Sequence, residues 1–199
     1  MSYYPLLPHP TFDETDFATW EDGFTNKECD EIIRLGESLS AKDSTVGSNS
    51  KSQKCDGNIR KSLNSWLSLN DETEWVYAKL GNICRCLNGM NWRFEISGFS
   101  EELQYTRYND DQSFYGWHID NGVTGSEHPQ RKLSITLQLS EPSEYEGGEF
   151  QIHSSKLNTL PKKKGLVIAF PSYSLHQVKP VTKGIRRSLV VWLCGPAFR

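Results

Sequence analysis

His118-Ile119-Asp120 and, far downstream, His176 offer two imidazoles and one carboxylate. Side chains at i and i+2 of an extended strand leave the backbone on the same side, so His118 and Asp120 can converge on one metal ion. His176 on a second strand completes a face of two histidines and one carboxylate. Such a face leaves coordination positions open, the donor set through which non-haem Fe(II) works on O2. H-x-D by itself is a common dipeptide spacing, and a lone histidine is ordinarily a hydrogen-bonded structural one. The weight comes from the residues around it.

Foremost among these is Arg186, at the head of an apolar segment running from Ile185 to Trp192. If that segment is a strand, one face carries Arg186, Ser188, Val190 and Trp192, and the other Arg187, Leu189 and Val191. An arginine on an interior face needs an anionic partner, because a buried unpaired guanidinium is very costly. Arg186 lies ten positions after His176, across the turn Pro180 to Gly184, so the two are expected on neighbouring strands of one hairpin. A metal with an arginine further in defines a slot for a small dicarboxylate. 2-Oxoglutarate fits it, with the 2-oxo acid end on the metal and the far carboxylate held bidentately by the guanidinium.

The elements that must position these groups fall into two halves. In the first, Thr25-Asn26-Lys27-Glu28 has the form of a capping box, followed by Cys29, Ile32, Ile33, Gly36 and Leu39 on one face of a helix ending near Ser40. A second helix is expected from Asp71, with Asp71 and Glu74 repeating the cap logic, Val76, Leu80, Ile83 and Leu87 buried, and Gly89 as terminator. Between them Ala41 to Gly57 is too polar to bury much and reads as a connector or an active-site lid. From Trp92 onward the chain reads as strands: Arg93 to Ser97, Leu103 to Tyr108, Phe114 to Asp120, Leu133 to Leu139, Glu149 to His153, Leu166 to Phe170, Ser174 to Val178 and Ile185 to Leu193. Asn121-Gly122, Gly147-Gly148, Pro171 and Lys183-Gly184 mark turns between them. Eight short strands behind two helices imply a β-sandwich or jelly roll backed by helices, an α+β chain of one domain spanning 1–199. Residues 1–92 are its mainly helical support and 93–195 its core.

Composition removes some function classes. A net charge of −3 gives no electrostatic reason to expect nucleic acid or an anionic membrane surface. No stretch approaches the roughly 20 apolar residues that cross a bilayer, and Met1 to Pro10 lacks the basic and apolar regions of a secretory signal. The five cysteines, Cys29, Cys55, Cys84, Cys86 and Cys194, are odd in number and lack C-x-x-C spacing, which fits buried thiols in a reducing, cytoplasmic setting. Lys162-Lys163-Lys164 reads as a solvated turn.

Taken in order, these residues resemble the Fe(II)/2-oxoglutarate-dependent dioxygenases, and among them the prolyl-4-hydroxylase-like group. The matching pieces are Tyr108 and Tyr115 ahead of His118-Ile119-Asp120, then Arg131 opening a strand, then Glu146-Gly147-Gly148-Glu149-Phe150. Leu175-His176-Gln177-Val178, Pro180 to Arg186 and Trp192 complete them, with Phe24 to Cys29 similar to the start of the family's first helix. The resemblance implies a double-stranded β-helix core, with His118, Asp120 and His176 as catalytic iron ligands. It implies Arg186 on the distal carboxylate of the cosubstrate, assisted by Ser188, and Tyr108 reaching the cosubstrate. Gln138 stands where prolyl hydroxylases often place a tyrosine facing that pocket, and could donate a hydrogen bond there. The implied reaction consumes 2-oxoglutarate and O2, with ascorbate as a reductant, releases succinate and CO2, and hydroxylates a C–H bond of a peptidyl proline. With Asp120 present, hydroxylation is favoured over halogenation, for which relatives put a small residue at that position.

Other residues have plainer readings. His9, His128 and His153 read as surface or loop residues, His128 the one nearest a substrate; Tyr115 reads as strand core. Trp192 reads as packing at the base of a pocket, Arg187 as an exposed or helix-facing charge, and Arg60 as a surface charge beside the mouth. Gly147 and Gly148 serve backbone conformation. Two other functions stay open: the same chemistry on a free amino acid or small molecule, and a non-catalytic jelly-roll module that keeps a metal for binding.

Overall fold

A computed structural model describes residues 15–44, 56–120 and 129–198. His9, His128, Cys55, the Asn121-Gly122 turn and the middle of the Ala41 to Gly57 connector lie outside the described residues. In chain order the elements are β1 (Ala18–Trp20), α1 (Asn26–Ser38), β2 (Lys42–Asp43), β3 (Arg60–Lys61), β4 (Leu63–Leu67) and α2 (Glu74–Asn91). They continue with β5 (Gly98–Phe99), β6 (Leu103–Tyr108), β7 (Phe114–His118), β8 (Gln130–Gln138), β9 (Tyr145–Gly147) and β10 (Phe150–His153). β11 (Leu157–Thr159), β12 (Val167–Pro171), β13 (Leu175–Val178), β14 (Val181–Gly184) and β15 (Arg186–Gly195) complete the chain.

Two antiparallel sheets face each other. The larger runs β1-β12-β8-β15-β6-β4-β2, with β5 paired to the end of β15. The smaller runs β11-β10-β13-β7-β3, and β14 pairs with β9 beside them. Together they form a jelly roll, with the two helices against the outer face of the larger sheet.

The period of two explains how one strand serves both sides. On β8, Leu133, Ile135 and Leu137 join the helix-side core, while Ser134, Thr136 and Gln138 alternate with them. On β15, Leu189, Val191 and Leu193 face the helices, and Arg186, Ser188, Val190 and Trp192 line the space between the sheets. That inner space is therefore polar at its centre and closed at one end by a second apolar cluster of Tyr108, Tyr145, Phe150, Ile168, Phe170 and Val181.

α1 has the expected capping box: Thr25 Oγ1 accepts from the Glu28 N–H, and Glu28 Oε2 accepts from the Thr25 N–H at 2.7 Å. It ends at Ser38, so Leu39 turns into extended backbone and stays 41% exposed rather than buried; Leu35 takes its place in the core. Gly36 lets this helix approach β6, since a Cβ there would sit 2.3 Å from the Tyr105 ring.

α2 departs further from the reading. The Asp71 and Glu74 cap does not form; Asn70 Oδ1 instead accepts the Glu72 and Thr73 N–H groups. Gly89 does not terminate the helix, which runs to Asn91 and stops where Arg93 takes φ 54°. The expected strand from Arg93 to Ser97 is absent, because the Asn88 side chain pins Phe94 by two hydrogen bonds and only Gly98–Phe99 pairs.

Among the described residues, those before position 93 contribute four strands as well as helices, and three of these strands (β2, β3 and β4) extend the sheets along one edge of the site. Lys164 is not in a solvated turn; it is buried with its ammonium 2.6 Å from Asp30. Of the thiols, Cys29, Cys84 and Cys194 are buried and Cys86 is exposed.

Candidate metal centre

β7 ends at His118, and antiparallel β13 sets His176 directly opposite it. The two rings are 4.1 Å apart between centroids. Asp120 follows the strand end, where its N–H donates to the Ser172 carbonyl at 2.8 Å. The three side chains converge: ligand atoms from His118, Asp120 and His176 all lie within 4.8 Å of one another. His118 Nε2 is 3.6 Å from Asp120 Oδ1, and His176 Nε2 is 3.4 Å from Oδ2.

The surroundings suit this set to a cation. Nδ1 of His118 lies 2.7 Å from the Gly116 carbonyl, and Nδ1 of His176 lies 2.9 Å from the Ser174 carbonyl. With Nδ1–H donating in each case, both Nε2 lone pairs point into the cluster, the tautomer a metal requires. Burial pushes the His118 imidazole down to about 3, with His176 adding to the effect, so it stands neutral. Burial alone would raise the Asp120 carboxyl, but the adjacent imidazoles and the Trp192 N–H outweigh it and hold it below the usual carboxylate range. A neutral His118 imidazole and an ionised Asp120 carboxylate are the protonation states in which these groups bind metal.

Several residues set this geometry in ways that their positions in the sequence do not show. Trp192 does more than pack: its Nε1–H donates to Asp120 Oδ2 at 2.9 Å. Ser134 Oγ donates to the same oxygen at 2.8 Å, leaving Oδ1 as the less encumbered atom. Arg131 lies 3.7 Å over the Trp192 ring, and its Nε–H donates to Glu101 at 2.6 Å. Period-two alternation was the available signal for Ser134 and Trp192, because both fall on the inner face of their strands. Tyr115 is not plain core: it stacks on His118 at 3.4 Å with its hydroxyl pushed up to about 12 by burial.

Arg186 is not on a strand neighbouring His176. β13 belongs to the smaller sheet and β15 to the larger, so the two residues face each other across the sandwich. The turn between them carries β14, which pairs with β9 and sends the chain over to the other sheet. Arg186 is 1% exposed. Its N–H groups donate to Gln138 Oε1 at 3.1 Å and Ser188 Oγ at 3.3 Å, and its Nε has no partner. Tyr108, opposite it on β6, lies under the guanidinium at 5.2 Å. Among the described residues no carboxylate pairs with it. Gln138 thus accepts from the arginine through Oε1.

Gly148 makes room for this side chain. It holds φ 62°, and a Cβ there would come 3.1 Å from Arg186 Cδ and 3.2 Å from Tyr145 Cε2. Arg187, on the other face, pairs with Glu37 on α1. A cavity of about 310 Å³ joins the cluster to Arg186, Tyr108 and Ser188 at one end and to Arg60, Asn64 and Trp66 at the other. Arg60 is not a surface charge; it is 7% exposed and stands in the cavity wall. His153 lies exposed at the end of β10, away from the cavity.

Residues 103–194 match the 2OG-Fe(II) oxygenase superfamily. Among curated relatives, a PKHD-type hydroxylase of Cupriavidus metallidurans is 40% identical over 94 residues, 45% of this chain and 41% of that protein. One of Escherichia coli is 36% identical over 134 residues, 62% of this chain and 57% of that one. The chain thus spans about two-fifths to three-fifths of the length of these relatives. Among solved structures, a Pseudomonas putida prolyl-4-hydroxylase superposes with a TM-score of 0.68 at 16% identity, over 92% of this chain and 94% of that one. A viral collagen prolyl hydroxylase from Paramecium Bursaria Chlorella virus-1, in a 2OG complex, gives 0.70 at 21% identity, over 94% and 99%. A Trichoplax adhaerens prolyl hydroxylase in complex with a hypoxia inducible factor peptide fragment gives 0.71 at 16%, over 90% and 83%.

Proposed function

We propose that this chain, a 2OG-Fe(II) oxygenase of prolyl-4-hydroxylase-like type by its residues 103–194, hydroxylates a C–H bond of a peptidyl proline using Fe(II), 2-oxoglutarate and O2. The observation that carries the reading is the buried Arg186, without a carboxylate partner among the described residues, in one cavity with His118, Asp120 and His176. A guanidinium so placed is completed by an anion that enters with the cosubstrate. When bound, the iron supplies O2 activation coupled to decarboxylation of 2-oxoglutarate to succinate and CO2.

The protein's share is positional. His118 and His176, fixed through Nδ1, present Nε2 to the ion, and Asp120 presents Oδ1 while Ser134 and Trp192 hold Oδ2. Arg186 takes the far carboxylate of 2-oxoglutarate bidentately, with Ser188 and Gln138 setting the plane of the guanidinium and Tyr108 covering it. The sheet faces and Phe150, Phe170 and Val178 exclude water around the reacting atoms. In this reading 1–199 works as one domain, in the cytoplasm, where its free thiols stay reduced. A peptide substrate is supported by the peptide-bound solved neighbour.

The test is succinate formation from 2-oxoglutarate by the purified protein with Fe(II), and hydroxylation of a proline-peptide panel by mass spectrometry. Succinate must form and must be lost in Asp120→Ala. A protein that binds metal yet gives no succinate is a binding module, and one that oxidises only free amino acids loses the peptidyl assignment.

A further inference from the structure

The cavity holds a second buried guanidinium besides Arg186. Arg60, on β3, is 7% exposed and lies 4.4 Å over the ring of Tyr115, which itself stacks on His118. Its Nε–H donates to Ser62 Oγ at 2.9 Å and its Nη2–H to Asn64 Oδ1 at 3.1 Å. Both acceptors are neutral, and no carboxylate among the described residues lies within ion-pair distance. The other inner arginine, Arg131, already has Glu101. A guanidinium removed from water and met only by neutral oxygens retains most of its desolvation cost, which an arriving anion offsets.

Its position separates it from Arg186. In the larger sheet Asn64, Thr106, Ser188 and Gln138 stand side by side on β4, β6, β15 and β8. Asn64 holds Arg60 at one end of this row, while Ser188 and Gln138 hold Arg186 at the other. Two strand spacings of about 4.8 Å separate Asn64 from Ser188, so the two anchors are roughly 10 Å apart. In the smaller sheet, β3 flanks β7 on the side away from β13 and His176. One arginine therefore serves each end of the cavity, with the histidine and aspartate cluster in its wall.

We infer that Arg60 is a specificity-determining residue that binds a carboxylate of the substrate, so that the molecule hydroxylated here carries an acidic group close to the attacked C–H bond. This deepens the oxygenase reading and rests on it: 2-oxoglutarate brings two carboxylates, one for the metal and one for Arg186, which leaves Arg60 to the substrate. The group is the carboxylate of a free or chain-terminal residue, or an acidic side chain beside the target residue. The fork of Arg60 takes either in the same way.

The test measures binding without turnover, by calorimetry on the full chain with Mn(II) and 2-oxoglutarate. The probes are N-acetylproline against N-acetylprolinamide, and a blocked Ala-Pro-Glu peptide against Ala-Pro-Gln. In wild type the acid of one pair binds about 10–100-fold tighter than its amide, as a charge-assisted bidentate contact requires. The pair that discriminates identifies the source of the carboxylate. Arg60→Gln removes the preference, and Arg60→Lys, which keeps the charge without the planar fork, retains part of it and replaces the glutamine variant should that one not fold. Equal binding of acid and amide in both pairs overturns the inference. So does Arg60→Gln weakening 2-oxoglutarate itself by the same factor, which assigns the arginine to the cosubstrate. Succinate release is scored separately, so a protein without turnover strikes the oxygenase reading while the acid preference is still read.

Discussion

Replacing Arg186 with methionine separates the cost of this side chain from its use. Its guanidinium is 1% exposed, donates to Gln138 and Ser188, meets the Tyr145 hydroxyl, and leaves Nε without a partner. Residual desolvation of such an ion costs several kcal/mol. Against it stand two hydrogen bonds from the charged guanidinium to neutral acceptors, about 1.5–3 kcal/mol each, with the contact to the Tyr145 hydroxyl and the one over Tyr108, the latter about 0.5–2 kcal/mol. The terms nearly cancel, so Arg186→Met is expected to change stability by about 0 to +2 kcal/mol, raising Tm by up to roughly 8 °C at about 2–4 °C per kcal/mol for a chain of this size. A structural ion-pair partner would behave oppositely: its loss costs about 3–5 kcal/mol, a fall of roughly 6–20 °C. Ligand binding should move against stability. Losing a bidentate charge-assisted contact worth about 3–5 kcal/mol weakens 2-oxoglutarate by roughly 10²–10⁴-fold. Scanning calorimetry gives the first number, and titration of 2-oxoglutarate into the Mn(II) protein gives the second. A variant whose Tm falls by more than about 6 °C while 2-oxoglutarate binding stays within tenfold refutes the reasoning.

Other consequences follow from single contacts. Trp192→Phe removes the donor to Asp120 Oδ2 while keeping an aromatic ring, and Fe(II) affinity should drop about 10–100-fold in a metal titration. His118, pushed down to about 3 by burial, stays neutral in the fold, whereas in the unfolded chain it titrates near 6.5. The unfolded state therefore binds the extra proton below about pH 6.5, and the metal-free protein loses about 1.4 kcal/mol per pH unit as pH falls toward 4. Urea titrations across that window should show a shallower slope in His118→Gln. Gly36→Ala places a Cβ 2.3 Å from the Tyr105 ring, so overpacking of about 1–3 kcal/mol is expected, read as a fall in Tm of roughly 2–12 °C with Fe(II) binding unchanged.

Local signals were sufficient wherever one residue decides its own neighbourhood. The Thr25 and Glu28 capping box, the buried stripe of α2 and the alternation on β15 depend on contacts a few residues away, and all formed as their spacing implied. Local signals failed where a neighbour competed. Asn70 displaced Asp71 at the start of α2, and Asn88 took over the segment expected to pair as a strand.

For the candidate site, the sequence by itself determined which groups could assemble: His118 and Asp120 by their i, i+2 spacing, although the strand stops at His118 and the Ser172 carbonyl fixes Asp120 beyond it, and Arg186 and Ser188 by strand period on β15. It also carried the resemblance to the prolyl-4-hydroxylase-like oxygenases. Only the tertiary structure decided how these groups stand to one another. His176 and Arg186 are ten residues apart, yet β14 carries the chain across the sandwich, so they meet from opposite sheets rather than along one hairpin. Arg60 follows the same logic: nothing adjacent to it in sequence marks it as interior. It is buried because β3 pairs with β7 and because Ser62 and Asn64, on and beside β4, turn its fork into the cavity. Spacing along a chain fixes the face a side chain occupies. Which face it then meets is set by pairings between distant strands, and those exist only once the sheets have closed.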